Sequence, residues 1–146
     1  MQLIQADLKH LNLVVPLFDA YRIFYSKESD VDSVNKFIKA RLTQKDSVIY
    51  LAINAEGNGI GFTQLYPSFS STKMKRMWIL NDLYVDSNYR GQGISKLLIT
   101  KAKELSQETK ACGLLLETEK HNMIGNKLYP SVGFELEENN FYFWSI

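Results

Sequence analysis

A short glycine-rich stretch, Y-R-G-Q-G-I-S-K at residues 89–96, combines the residue types that an anion-binding loop needs. Gly91 and Gly93 lie one residue apart, Arg90 precedes them, and an amphipathic helical pattern begins directly after them. The unpaired N–H groups in the first turn of a helix, together with the positive end of its dipole, favour a bound phosphate. Because glycine lets the backbone approach a ligand closely and adopt positive φ, the stretch predicts a phosphate-binding loop.

Two common phosphate-binding motifs do not fit this stretch. A P-loop requires Gly-x-x-x-x-Gly-Lys-Ser/Thr, which is absent, and the dinucleotide fingerprint requires a third glycine where Lys96 stands. The pattern Arg-x-x-Gly-x-Gly/Ala does fit with one departure, since Ser95 stands in the last small-residue position. On the loop alone, a strand-to-helix turn without a ligand stays open as the alternative.

Length and composition are those of an ordinary globular chain and predict a single domain over residues 1–146. The chain has 45% hydrophobic and 23% charged residues. Its net charge of +1 gives no electrostatic signal for nucleic acid or an anionic membrane, so neither is an expected partner. No apolar run has the length of a membrane span, and the N-terminus lacks a signal-peptide pattern, which predicts a cytoplasmic protein.

Potential metal ligands are few and scattered. Cys112 is the single cysteine, which excludes an internal disulfide and a cysteine-based zinc site. His10 and His121 lie far apart and have no metal-ligand spacing. We therefore expect no metal.

Hydrophobic periodicity and turn residues predict strands and helices in a mixed order. The predicted strands are 2–6, 47–53, 61–66, 76–85, 114–116, 134–136 and 141–146. The predicted helices are 8–25, one from about 31 to 42, one that begins at 94, and one that Asn122 caps, and 67–72 is a predicted loop. This order predicts an α/β domain with a largely antiparallel sheet and helices on its faces.

A second motif, N-M-I-G-N-K-L-Y-P-S-V-G-F at residues 122–134, adds a family resemblance. It resembles the N-x-x-[AG]-x-x-[LF]-Y-x-x-x-G-F stretch of the GNAT superfamily of N-acetyltransferases, whose glycine loop binds the pyrophosphate of acetyl-CoA. The spacing between the two motifs and the element order also match that family over nearly the whole chain. The resemblance, to the small single-domain bacterial type, implies the GNAT fold, a mixed and mostly antiparallel sheet flanked by about four helices.

The resemblance implies acetyl-CoA as the cosubstrate and suggests which residues contact it. The end of the strand before the loop would pair with the pantetheine arm, and an N–H group there would polarise the thioester oxygen as in an oxyanion hole. Asn122 would contact the cofactor as well as cap its helix. The implied cofactor-binding residues are Leu83, Tyr84, Val85, Arg90, Gly91, Gln92, Gly93, Ile94, Ser95 and Asn122.

The resemblance also suggests the groups that transfer protons. Tyr129 matches the usual general acid of the family, and a phenol with a pKa near 10 suits protonation of a leaving thiolate, although a core tyrosine is the alternative. Asp82 and Glu117 are the two candidates for the general base. Each is alternatively an exposed strand-end carboxylate, and removal of the amine proton by water without a dedicated base stays open.

The acceptor is expected to bind at the first two helices and the loop between them. Tyr21, Phe24, Tyr25 and Glu28 offer aromatic faces and negative charge that suit a cationic amine. The alternative is that Tyr21 and Phe24 pack in the core while the nearby acids cap helices. We therefore predict an N-acetyltransferase for a primary amine of a small molecule, such as a polyamine or an amino acid.

Two other functions and the oligomeric state stay open at this level. The alternatives are a protein or peptide N-acetyltransferase and a non-catalytic CoA-binding module. The resemblance also raises a homodimer, in which the aromatic residues 141–144 pair across subunits. Burial of these residues within the sheet of their own chain is the competing prediction.

Overall fold

The computed structural model describes all 146 residues, which form two compact units, Met1–Leu116 and Glu117–Ile146. The first unit contains a five-stranded sheet and three α-helices, and the second contains one α-helix. None of the four helices is both long and apolar enough to cross a membrane.

The sheet of the first unit has the strand order β1-β2-β3-β4-β5, antiparallel except for the parallel pair of β4 and β5. The strands are β1 (Gln2–Gln5), β2 (Val48–Ile53), β3 (Gly59–Ser70), β4 (Lys75–Val85) and β5 (Leu114–Leu115). The α-helices are α1 (Leu11–Phe24), α2 (Val31–Gln44), α3 (Ile94–Glu108) and α4 (Met123–Ser131), with 3-10 turns at Leu8–His10 and Ser87–Tyr89. The predicted mixed, mostly antiparallel sheet with four helices is confirmed.

Alternation along β3 separates the two helical layers of the first unit. Phe62 is fully buried in the core cluster that includes residues of α1 and α2. The neighbouring Gly61 points to the opposite face, where an added Cβ would lie 3.4 Å from Cγ2 of Ile94, the first residue of α3. The start of α3 therefore packs closely on the sheet beside the end of β4.

The serine-rich stretch 67–72, predicted as a loop, is largely strand. β3 continues to Ser70, which pairs with Lys75 of β4, and Pro67 lies opposite Trp78. A proline is tolerated here because β2 pairs with β3 only as far as Leu65, so the missing N–H falls where β3 has one neighbour.

The two closing strands predicted at 134–136 and 141–146 are absent. Residues 132–146 contain no strand, and Phe141, Tyr142, Phe143 and Trp144 have exposed fractions of 67%, 92%, 94% and 84%. The prediction that residues 141–144 are buried in the sheet of their own chain is therefore wrong. An aromatic, β-prone composition does not by itself make a strand, because a strand needs a partner for its backbone hydrogen bonds.

Candidate functional site

The glycine stretch connects β4 to α3 and leaves the first turn of α3 without a side-chain cap. Gly91 and Gly93 have φ values of 77° and 79°, in the left-handed region. Gly93 is the N-cap residue, and no side chain accepts a hydrogen bond from the first turn. The first helical bond runs from Leu97 N–H to the Gly93 carbonyl, at 3.1 Å. The preceding N–H groups of Ile94, Ser95 and Lys96 can therefore converge on an anion.

Gly91 and Gly93 have no other part of the protein packed against them. A Cβ added at Gly91 or Gly93 would have no atom within 4 Å, so glycine is required by the positive φ and not by crowding. Ile94 is only 2% exposed, so its side chain is buried beneath the loop. Gln92 is exposed and Ser95 is partly buried.

Arg90 ties the loop to β4 and to the end of α1. Its Nε donates a hydrogen bond to the Val85 carbonyl at 3.0 Å. Its guanidinium carbon lies 5.5 Å from the ring centroid of Phe24 and 5.6 Å from that of Tyr84. The structure thus brings the predicted cofactor loop next to the predicted acceptor helix.

Within the first unit, the last residues of β4 have a neighbouring strand on one side only. Leu83, Tyr84 and Val85 pair with β3, whereas β5 pairs only with Trp78 and Ile79. The β5-facing edge of β4 beyond Ile79 therefore has no strand beside it. Such an edge offers unpaired backbone groups to an extended ligand that carries amides.

Asp82 is buried in β4, with an exposed fraction of 4%. Its Oδ2 accepts a hydrogen bond from Gln64 Nε2 at 2.8 Å, its Oδ1 accepts one from Asn81 Nδ2 at 3.1 Å, and the Tyr21 hydroxyl donates a further one. Burial raises the pKa of the carboxyl, and the three hydrogen bonds oppose that rise. The alternative that Asp82 is an exposed strand-end carboxylate is therefore wrong, and a raised pKa suits a proton acceptor.

Glu117, the other candidate base, lies in a different environment. It is exposed, it follows the end of β5 by two residues, and it belongs to the second unit. Its environment is that of a solvated carboxylate.

The predicted acceptor residues divide into a ring cluster and an exposed acid. The Tyr21 ring lies 5.0 Å from the Tyr25 ring, 6.0 Å from Phe62 and 6.5 Å from Tyr84, measured between centroids. Phe24 is 52% exposed, so the alternative that it packs in the core is wrong, whereas Tyr21 does pack against the core.

The acidic residues after α1 do not gather around this ring cluster. Glu28 is exposed, and its carbonyl oxygen accepts a hydrogen bond from Arg22 at 3.1 Å. Asp30 caps α2, since its Oδ1 accepts a hydrogen bond from Ser33 N–H at 3.0 Å, as the helix-cap alternative predicts. Of the predicted acceptor residues, Tyr21 is the one hydrogen-bonded to the candidate base.

In the second unit, Asn122 caps α4. Its Oδ1 accepts a hydrogen bond from Gly125 N–H at 3.0 Å, and its Nδ2 donates one to Thr118 Oγ1 at 2.9 Å. A Cβ at Gly125 would lie 2.7 Å from Asn122 Nδ2, which explains the small residue at this place in the motif. Tyr129 is partly buried on α4, with its ring edge-on to the Phe134 ring at 5.9 Å.

Sequence reasoning missed the polar residues behind Asp82. Gln64 is fully buried, and it connects Asp82 to Ser47 and Tyr66. The available signal was a glutamine two residues after Phe62, on the inward face of an apolar strand.

Known proteins resemble this chain along most of its length. Residues 14–134 match the family described as "Acetyltransferase (GNAT) family". The chain is 43% identical over 135 residues to "Uncharacterized N-acetyltransferase YhfO" of Bacillus subtilis, covering 92% of this chain and 90% of that protein. It is 29% identical over 136 residues to a "Probable acetyltransferase" of Haemophilus influenzae, covering 93% and 91%. A crystal structure of a probable acetyltransferase matches with a TM-score of 0.94 and 44% identity, covering 100% of this chain and 98% of that one.

Proposed function

The chain belongs to the GNAT family of acetyltransferases, and from this premise we propose that it acetylates a primary amine of a small molecule. As an acetyl-CoA-dependent transferase, it must bind a diphosphate and align a thioester. It must also remove a proton from the amine and donate one to the departing sulfur. The family match crosses the boundary between the two compact units, which supports one functional domain over residues 1–146.

The glycine loop is the group that anchors the cosubstrate. The uncapped N–H groups at the start of α3 donate to the pyrophosphate, and Arg90 adds positive charge. This anchoring acts far from the reacting carbon, where it orients the thioester. The loop suits a diphosphate because its N–H donors are uncapped and attract negative charge, and because no protein atoms crowd its glycines.

The free edge at Leu83, Tyr84 and Val85 binds the pantetheine arm. An arm with two amides can pair with this edge like an added strand. A main-chain N–H there donates to the thioester oxygen, where negative charge develops during attack. Acetyl-CoA supplies the activated acetyl group, and these backbone groups hold it in place.

Asp82 is the proposed base, and Tyr129 is the proposed acid. As the amine nitrogen forms its bond to the carbonyl carbon, its proton passes to the Asp82 carboxylate, directly or through water. The carbon–sulfur bond breaks, and the Tyr129 hydroxyl protonates the departing sulfur. Burial raises the pKa of Asp82 and so strengthens its carboxylate as a proton acceptor.

The link between Tyr21 and Asp82 is the observation that favours a small amine. Tyr21 on α1 donates a hydrogen bond to Asp82, and its ring belongs to a cluster with Tyr25, Phe62 and Tyr84. Aromatic faces beside a carboxylate attract a compact cation through cation–π and Coulomb interactions. We infer that the acceptor binds between α1 and the end of β4.

The acceptor proposal is tested by measuring release of free thiol from acetyl-CoA with polyamines, amino acids, aminoglycosides and short peptides as acceptors. We expect turnover with one or more of the small primary amines and not with peptides. Activity confined to peptides would contradict the small-molecule proposal and favour a protein or peptide acceptor.

The general-acid role is tested by Tyr129→Phe, with Tyr142→Phe as the matched control. Tyr142 is 92% exposed in the same unit, so its hydroxyl has no expected role. Loss of the acid lowers kcat by about 10²-fold or more, with little change in the Kd of acetyl-CoA. Equal turnover in the two variants would remove Tyr129 from the mechanism.

A further inference from the structure

Gln64 of β3 is a fully buried side chain whose three hydrogen bonds use both ends of its amide. Its Oε1 accepts a hydrogen bond from Ser47 Oγ at 3.0 Å. Its Nε2 donates one hydrogen bond to Asp82 Oδ2 at 2.8 Å and another to the Tyr66 hydroxyl at 3.0 Å. Each N–H of the amide therefore has one acceptor, and the carbonyl end has a donor.

The direction of this amide matters to the carboxyl beside it. As placed, the amide presents an N–H to Asp82, which stabilises the ionised carboxylate. A reversed amide would present Oε1 to Asp82, and two acceptors at that distance are tolerated only if the carboxyl is protonated. The ionised carboxylate only accepts hydrogen bonds, so it selects the observed direction, in which the Ser47 hydroxyl donates to Oε1.

We propose that Gln64 is a positioning residue that holds Asp82 in its proton-accepting form, and that Ser47 holds the far end of the Gln64 amide in place for this contact. The proposal rests on the role of Asp82 as the general base. It adds a residue of β3, and the serine that directly precedes β2, to a reaction otherwise assigned to β4, the glycine loop, α1 and α4.

The groups around this network leave Asp82, whose pKa burial raises, as the member that titrates. Asn81 and Tyr21, the other donors to its carboxyl, come from β4 and α1. Burial, helped by the charge of Asp82, raises the pKa of Tyr66 to about 12, so Tyr66 stays neutral in the working range.

Two further charges act on Tyr66, one in the last turn of α2 and one just after that helix. Arg41 lowers the pKa of Tyr66 and Asp46 raises it, and the two form an ion pair at 2.7 Å, so their effects oppose each other. Neither changes the conclusion that the network titrates through Asp82.

The experiment measures the pKa of the Asp82 carboxyl by carbon-13 NMR, with the resonance identified by its loss in Asp82→Asn. It compares wild type, Gln64→Leu, Ser47→Ala and the double variant. Removing a donor to the charged form raises the pKa, so Gln64→Leu should move the titration upward by about one pH unit. Ser47→Ala should move it upward by less.

Non-additivity is the signature that separates positioning from two unrelated effects. Because Ser47 acts through Gln64, the double variant should titrate like Gln64→Leu alone. Tyr66→Phe is the control, since it removes a partner of Gln64 but leaves the bond to Asp82, and it should move the titration less than Gln64→Leu. An unchanged titration in Gln64→Leu, or fully additive shifts, overturns the proposal.

Kinetic profiles distinguish this failure from failure of the base assignment. The acidic limb of kcat/KM against pH should move with the carboxyl titration. If Asp82→Asn keeps normal turnover, or the limb stays in place while the titration moves, the base role falls and the proposal falls with it. If Asp82→Asn is inactive but Gln64→Leu leaves the pKa of the Asp82 carboxyl unchanged, only the role of Gln64 is overturned.

The proposal can still be tested if Gln64→Leu, a variant that replaces a buried polar side chain, does not fold. Ser47→Ala removes only a hydroxyl and leaves Gln64 in place. An upward shift in Ser47→Ala supports the proposal, and an unchanged titration overturns it.

Discussion

The start of α3 and the surroundings of Asp82 differ in whether their hydrogen-bond donors have partners within the protein. The first turn of α3 has no side-chain cap, and its glycines face open space. The Asp82 carboxyl is buried and accepts hydrogen bonds from three side chains. Both regions adjoin the end of β4, yet one keeps its donors free and the other uses them.

The difference reflects what each region has to bind. A diphosphate brings its own negative charge, so a site for it needs unused donors that water can occupy until the ligand arrives. A buried carboxyl must be stabilised by the protein itself, because an uncompensated charge away from water is costly. In this protein, the free N–H donors at the start of α3 therefore indicate ligand binding. The donors that are bonded to Asp82 instead indicate that the protein sets the proton affinity of this carboxyl.

Helices α2 and α4 sharpen this contrast. Asp30 caps α2 and Asn122 caps α4 through side-chain oxygens. The N-cap residue of α3 is Gly93, which has no side chain that could cap the helix. Helix α1 also lacks a side-chain cap, but it continues directly from the 3-10 turn at Leu8–His10, which Asp7 caps, whereas α3 follows the glycine stretch.

The largest expected effect comes from removing the buried charge. Asp82→Asn keeps the shape but cannot accept a proton, so kcat should fall by about 10²- to 10⁴-fold while the Kd of acetyl-CoA stays unchanged. Steady-state kinetics and calorimetry measure the two quantities. Glu117→Gln is the control and should turn over normally, and a larger loss in that variant would exchange the roles of the two carboxylates.

Next in size is the effect of a charge placed at the open loop. Asp and Asn both tolerate the left-handed region that Gly93 occupies, so Gly93→Asp and Gly93→Asn differ mainly in charge. Repulsion of the diphosphate should weaken acetyl-CoA binding in Gly93→Asp by about tenfold or more relative to Gly93→Asn. Calorimetry measures this ratio, and equal affinities would place the diphosphate elsewhere.

A smaller effect is expected from removing a side-chain cap. Asn122→Ala should lower the free energy of unfolding by about 1 kcal/mol, since Gly125 N–H loses its acceptor. Ser95→Ala in the first turn of α3 is the comparison and should cost less, because that turn has no side-chain cap. Urea denaturation of the two variants measures the difference, and equal losses would contradict the contrast between the helices.

The smallest expected effect is the pH dependence of stability that Asp82 contributes. Its pKa is raised in the folded state above the ordinary value of 3.8, so folded protein holds this proton more tightly than unfolded protein. The stabilisation is fully present below the ordinary pKa and is lost as pH rises through the raised pKa. The free energy of unfolding of wild type relative to Asp82→Asn should therefore fall over that range, and a rise would show that the hydrogen bonds outweigh burial.

Local patterns predicted much of the fold correctly. The four α-helices and the first five strands lie where periodicity, caps and turn residues place them, within a few residues at most ends apart from the extended β3. The errors fall on 67–72 and on the strands predicted after Gly133, where composition was used without knowledge of pairing. Whether a segment becomes a strand depends on a neighbour, which is not encoded nearby.

By itself, the sequence determined the glycine loop, the capped helix at Asn122 and the family, since each depends on residues that are close together in the chain. Only the tertiary structure decided that Asp82 is buried and that Gln64, Ser47 and Tyr21 form its network. Gln64 and Asp82 are 18 residues apart, and Ser47 and Gln64 are 17 apart. A loop built from its own backbone can be read locally, whereas the proton affinity of a carboxyl depends on whichever strands and helices close around it.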